Sequence, residues 1–408
     1  MFTGRALVAA LLCAVLSACA SLEESPAFRI ALDQCNNDDD LYSVDVQIKA
    51  CTEIFDSPAR YTDDLHWLYA ERGRAYASRR DYALALADYE RALFESPGNA
   101  VLIFGRAAVQ EKMGDREAAL ASYDQAIQIE QSFDTLYYGR GRFLLADGQH
   151  DLAIADFDQA LRIDSSNLDA RVARARAYVG KKVYGVALKD LDIALRQSPE
   201  DVAALWWRGR AHYGARDYAA AAADFTEAMR RQPSLTAASL HWRGRAYLQQ
   251  DNFDGALADF DEASRLEPDR ANHLSYQCYG RLRANRELDA ALAACRKSVA
   301  LDASYSISNF VTGAILLKQG DATAAEMEFD ASARTEAPTS TSGDDDAEAS
   351  DDSGWGSTGV CLYGRGLARL RMAGTDSGKR AEIAREMMVA LAAAPEAAGF
   401  FASLGLEP

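Results

Sequence analysis

Proline is scarce in this sequence, at 9 in 408 residues. Because proline removes a backbone donor and breaks helices, its rarity suits a mostly helical chain. Histidine is scarcer. His66, His150, His212, His241 and His273 stand far apart, without metal-ligand spacing and without a nucleophile motif beside them. No metal, cofactor or catalytic set is therefore expected, and a cell-wall-acting enzyme is a remote reading. Basic charge is the minority sign: 44 Lys and Arg against 61 Asp and Glu give a formal net charge of -17. Nucleic acid is not expected as a partner, since a phosphate backbone asks for a basic footprint and no large one is present. Long apolar runs are missing except near the start, where Ala6 to Val15 follows Arg5. That run is too short to span a bilayer and has the form of a secretory signal.

What the chain does have is a repeat. The unit from His66 to Asn99 recurs, its small residue standing at Gly73, Ala107, Gly141, Ala175, Gly209 and Gly244, in steps of 34 residues and one of 35. In phase with it run Ala85, Ala119, Ala153, Ala187, Ala221 and Ala256. Four residues on come Tyr89, Tyr123, Phe157, Leu191, Phe225 and Phe260. Pro97, Pro199, Pro233 and Pro268 close several units. Each unit reads as a hairpin of two amphipathic helices. Such a hairpin cannot bury its apolar face alone, so it must stack on its neighbours.

This pattern resembles the tetratricopeptide repeat family over roughly three quarters of the chain. The resemblance implies an all-α, right-handed superhelical solenoid of stacked helix-turn-helix hairpins with a C-terminal capping helix, and a binding role with little chemistry. The expected organisation is a lipoprotein signal peptide over 1–18, a tether over 19–27, an N-terminal capping hairpin over 28–64, and the array over 65–338. An acidic loop follows over 339–358, and a last hairpin with its capping helix over 359–408. The acidic loop has almost nothing to bury, and it lacks the ligand spacing and closing Glu of a calcium loop, so a solvated insert is expected.

Leu16-Ser17-Ala18-Cys19 resembles the lipobox of bacterial lipoproteins. The resemblance implies cleavage before Cys19, acylation of that residue, and an anchor facing the periplasm. Ala20, rather than Asp, follows the cysteine, which favours the outer membrane. Two or three acyl chains make such an anchor stable where one does not. In an exported chain Cys35 and Cys51, placed in the two helices of one hairpin, are candidates for a disulfide, as are Cys278 and Cys295. Unpaired small apolar residues are the alternative. Cys361 is left over, either as a buried small residue or as a free thiol. The cysteine pairs, Tyr363-Gly364-Arg365-Gly366 and the closing GFFASLGL are similar to exported tetratricopeptide proteins of alphaproteobacteria.

Two arginine series run through the repeat. Arg72, Arg106, Arg140, Arg174, Arg208, Arg243 and Arg365 precede the small residue, and Asp88, Asp156, Asp190, Asp224 and Asp259 stand on the facing helix. An ion-pair ladder that orients the hairpins is expected. The second series is Arg74, Arg142, Arg176, Arg210 and Arg245. In the family's geometry it faces the concave groove. Four residues earlier stand Phe104, Tyr138, Trp206 and His241 on the same helical face, with Trp207 and Trp242 adjacent. Arginine and aromatics carry interface energy, and guanidiniums in an acidic body would attract an anionic protein or peptide. Two alternatives stand beside this reading: arginines paired with acids of the next repeat and rings that simply pack, or a structural envelope protein that forms homo-oligomers.

Overall fold

The computed structural model describes residues 26–37, 41–56, 66–303, 306–334 and 358–408. The expected signal, Cys19, most of the tether and residues 339–357 of the acidic loop lie outside the described residues. Every regular element among the described residues is helical. In chain order they are α1 (Pro26–Asn36), α2 (Val44–Asp56), α3 (His66–Ser78), α4 (Tyr82–Glu95), α5 (Ala100–Met113), α6 (Arg116–Ile129), α7 (Asp134–Ala146), α8 (His150–Ile163), α9 (Leu168–Gly180), α10 (Tyr184–Gln197), α11 (Val202–Gly214), α12 (Tyr218–Arg231), α13 (Thr236–Gln249), α14 (Phe253–Leu266), α15 (Ala271–Ala284), α16 (Leu288–Leu301), α17 (Ser306–Gln319), α18 (Ala322–Arg334), α19 (Thr358–Ala373), α20 (Ser377–Ala393) and α21 (Ala397–Ser403). Consecutive helices pack in pairs, as a solenoid of helical hairpins requires.

The chain divides into two compact units, Met1–Ala170 and Arg171–Pro408, with the boundary inside α9. The first holds the hairpins α1/α2, α3/α4, α5/α6 and α7/α8. Cys35 of α1 and Cys51 of α2 are joined by a disulfide, their Cα atoms 4.8 Å apart. The second unit runs from Arg171 in α9 to the residues after α21, and there Cys278 of α15 is bonded to Cys295 of α16, Cα to Cα 5.6 Å. Cys361 of α19 is a free, buried thiol. Its hydrogen bond runs to Ser332 Oγ at 3.2 Å, and burial pushes its pKa up to about 11.

One turn joins the two helices of nearly every hairpin. Arg80, Gly114, Gly148, Lys182, Arg216, Asp251 and Asn285 all have positive φ, at the spacing of the repeat. The next amide reaches back five residues, as Asp81 N–H does to Tyr76 O and Asp217 N–H to His212 O, both at 2.9 Å. This closes the open carbonyls of the first helix. Glycine adopts the left-handed region freely at Gly114 and Gly148, whereas Arg80, Lys182 and Arg216 adopt it against a Cβ clash. Asp115, Asp217 and Asn252 then cap the second helix through their side-chain oxygens, satisfying amides that the helix itself cannot.

Where the helices cross, small residues allow close approach. The alanines from Ala85 to Ala256 in the second helices are fully buried. A Cβ added at Gly244 would stand 2.8 Å from Phe260 Cε1, so a larger residue there would push the ring out of its seat. Bidentate bonds fix the pairs laterally: Arg72 to Asp88, Arg140 to Asp156, Arg174 to Asp190, Arg208 to Asp224 and Arg243 to Asp259, every pair 16 residues apart. Arg140 and Arg208 also reach the preceding second helix, at Asp124 (2.7 Å) and Asp192 (3.1 Å). Their aspartate partners, Asp156 and Asp224, hold both arginine pKa values above the ordinary range. Arg106 breaks the series, because Ser122 stands where the aspartate should be and accepts at 3.2 Å. The step of 35 residues is absorbed between α12 and α13, where Pro233–Leu235 forms a 3-10 turn.

Candidate functional site

The second arginine series lies on the first helix of each hairpin, and its surroundings differ between the units. In the first unit, Arg74 on α3 is about half exposed, at 55% of its side chain. It pairs with Glu71 and donates to Asn36 O at 3.1 Å. Phe104 on α5 is half-buried, with its ring 5.5 Å from that of Tyr123. Tyr138 on α7 lies 6.2 Å from the Phe157 ring, and burial raises the pKa of its hydroxyl. Arg142, one turn later on α7, is exposed, with its guanidinium 5.7 Å above the Tyr138 ring. A ring beneath a guanidinium leaves the edge of the fork, and its donors, directed outward.

In the second unit the same positions build a stack of alternating cations and rings. Arg176 of α9 lies 5.0 Å from the Trp207 ring. Arg210 of α11 stands 5.3 Å from Trp207 and 3.9 Å from Trp242. Arg245 of α13 follows, 4.0 Å from Trp242 and 4.8 Å from Tyr276. Arg210 and Arg245 are only 5% and 3% exposed, and Trp206 and His241 are buried beside them. An accessible row of guanidiniums is therefore found at Arg74 and Arg142, but not at Arg210 and Arg245. The physical reason is size: Trp207, Trp242 and Tyr276 on successive hairpins close over the arginine stems and leave no open wall. Each desolvated cation–ring contact stabilises by about 1–2 kcal/mol.

His241 belongs to a further polar cluster. Its Nδ1 lies 3.3 Å from Nδ1 of His273 on α15, and His273 Nε2 lies 3.2 Å from Glu267 Oε2. Burial, then His273, Arg245, Arg210 and Arg270, hold the His241 pKa well below its ordinary value. Sequence reasoning placed Trp207 and Trp242 beside the arginines but missed Tyr276 and His273. Their signal was available, since Trp207, Trp242 and Tyr276 recur at the repeat step. Among the described residues no group of three or more His, Cys, Asp or Glu is arranged to hold a metal ion, and no helix is long and apolar enough to cross a membrane.

Family models described as tetratricopeptide repeat match residues 104–167, 172–236 and 281–341, and residues 237–270, together more than half of the chain. The chain belongs to the tetratricopeptide repeat family. Among solved structures it is similar to a tetratricopeptide repeat protein from Parabacteroides merdae ATCC 43184, at 17% identity and a TM-score of 0.50, covering 60% of this chain and 97% of that one. It is also similar to the anaphase-promoting complex hetero-tetramer Cut9–Hcn1, at 16% identity and a TM-score of 0.53, covering 67% of this chain and 52% of that chain. At these identities the likeness shows the fold alone. A comparison with curated proteins finds no match. Tetratricopeptide repeat proteins bind protein or peptide partners, and theirs is the fold of an interaction scaffold.

Proposed function

We propose that this tetratricopeptide repeat chain is a non-catalytic adaptor lipoprotein of the bacterial cell envelope. It binds an acidic protein or peptide segment through the face that carries Arg74, Tyr138 and Arg142. One observation carries the reading: Arg142 is exposed while resting on the Tyr138 ring. A guanidinium held from behind in an acidic chain loses little freedom when it meets a carboxylate, and the bidentate fork suits that geometry. In the second unit the buried Arg210 and Arg245 stiffen the wall instead. Leu16-Ser17-Ala18-Cys19 supports export and anchoring, and two disulfides suit an oxidising compartment. A lipid tether would raise the local concentration of a modest binding face near its partners.

The test replaces Arg142 by Ala in the full chain and follows both melting and crosslinking to native envelope partners. Capture should weaken about tenfold, as for the loss of one interface anchor. The melting free energy should stay within about 0.5 kcal/mol, as for a surface position. Lower stability with undiminished capture would sink the reading. A Cys19→Ser chain should leave the membrane fraction, and its retention there would count against the anchor.

A further inference from the structure

The face that carries Arg142 is not of one sign. Tyr123 of α6 lies between two first helices, its ring 5.5 Å from that of Phe104 on α5 and 5.7 Å from that of Phe143 on α7. Its hydroxyl donates to Glu111 Oε2 of α5 at 2.9 Å. Burial first, and then Glu111, hold the pKa of that hydroxyl above its ordinary value, so it stays a donor, while Arg142 acts in the opposite sense. The guanidinium is therefore within Coulombic reach of the hydroxyl that holds Glu111. At Tyr138 burial again comes first, and there Arg142 and Asp169 of α9 act with opposite signs. An exposed cation thus stands near carboxylates of both neighbouring first helices, the half-buried Glu111 and the exposed Asp169.

Neither carboxylate closes on it. Among the described residues Arg142 forms no ion pair, and Glu111 has one, with its chain neighbour Lys112 at 3.7 Å. One hairpin earlier the same three residue types meet with a different result. Glu71 and Arg74 act on the Tyr89 hydroxyl in the same opposed senses, but they stand three residues apart on α3 and pair with each other. A carboxylate and a guanidinium at that spacing on one helix are neighbours. On two helices, with a tyrosine between them, they are held apart. The floor beneath is rigid, because the Phe104 ring lies against the backbone of α7 at Gly139, where an added Cβ would stand 2.3 Å from Phe104 Cε2. A wholly acidic segment laid on this floor would meet Glu111 and Asp169 as well as Arg142, and like charges brought together weaken binding.

We propose that Glu111 is a specificity-determining residue of this face, and that the ligand is an extended peptide segment with a carboxylate and a basic side chain two residues apart, the carboxylate on Arg142 and the base on Glu111. Side chains two residues apart leave an extended segment on the same side, about 7 Å from each other. They would therefore pass on either side of the Tyr123 hydroxyl. The proposal rests on the reading that Arg142 anchors a partner, and narrows that partner from acidic to mixed in charge.

The probes are four fluorescently labelled peptides, blocked at both ends and alike except for a central Glu-Ser-Lys, Glu-Ser-Glu, Lys-Ser-Lys or Gln-Ser-Gln. Titrated against the full chain, Glu-Ser-Lys should bind about fivefold more tightly than Glu-Ser-Glu, as for one partly exposed charge pair. The other two should bind more weakly still. Glu111→Gln keeps an oxygen to accept from the Tyr123 hydroxyl, so its melting temperature should be unchanged while the fivefold preference disappears. Glu111→Lys should reverse the preference, and Arg142→Ala should weaken both peptides that carry Glu. Absence of a preference in the unchanged chain, a comparison that needs no variant to fold, would overturn the role of Glu111. So would a preference that survives Glu111→Gln. In either case a loss of binding in Arg142→Ala would leave the Arg142 face standing. Binding indifferent to Arg142→Ala, or no binding of any peptide, would overturn both readings.

Discussion

At the scale of single residues, His241 shows how a repeat position acquires a titration. Phe104 and Phe310 hold the same place in their hairpins, but His241 brings a proton site into a buried pocket. His273 Nε2 faces Glu267 Oε2, and its Nδ1 faces Nδ1 of His241, so one of the two facing nitrogens must be without its proton to accept from the other. Unfolded, His241 takes up a proton near its ordinary pKa of 6.5. Folded, it resists, because burial and the nearby arginines hold its pKa well below that value. Stability from this site is therefore complete above pH 6.5 and declines as the pH falls below it, by at most about 1.4 kcal/mol per unit for one proton. Urea denaturation at pH 7.5 and 5.5 should show the decline, and His241→Phe should reduce the difference between the two. An undiminished difference would assign the protonation to another group.

At the scale of the hairpin, the inner turn is the element on which the fold depends. Arg216 sits there at φ 65°, in a conformation that a side chain disfavours by about 1–2 kcal/mol, and its side chain is exposed. Arg216→Gly should relieve most of that strain, less the extra freedom of glycine in the unfolded chain. Thermal unfolding should then shift upward by about 0.5–1 kcal/mol, and a lower melting temperature would show that the arginine makes a compensating contact. The element scale was also the most legible in the sequence. The small residues, the aspartates and the closing prolines stand at fixed steps, and the Arg–Asp pairs 16 residues apart follow from that register. Arg210 and Arg245 were not legible in the same way. Whether a guanidinium on this face is open or covered depends on the rings of neighbouring hairpins, so Arg142 and Arg245 look alike in sequence and differ in exposure. The path of α21 was hidden for a related reason: the expected capping helix sets Phe401 5.8 Å from Phe310 of α17 and 5.7 Å from Tyr363 of α19, and GFFASLGL does not declare which hairpins receive it.

At the scale of the whole molecule, a stack of hairpins confines disturbance, because each hairpin touches mainly its neighbours. The Cys35–Cys51 bond closes a loop with a sequence separation of 16, which stabilises by about 3 kcal/mol in the chain-entropy picture. Replacing both cysteines by serine should therefore speed amide hydrogen exchange in α1 and α2 by up to about a hundredfold. Exchange in α7 and α8 should stay as it was. An equal acceleration in both regions would mean that the first unit opens as one cooperative body.

The 3-10 turn at Pro233–Leu235 has a use beyond absorbing one residue. Within a hairpin, the inner turn and the Arg–Asp bond fix the length between them, so added residues there would break a helix closure and an ion pair together. Between hairpins there is no such inner turn to break. The additional residue at the α12–α13 junction and the acidic stretch between α18 and α19 both fall at such places. Junctions are thus the points at which this chain accepts foreign sequence, and a fluorophore tag or a whole inserted domain placed there would leave the register of every hairpin intact.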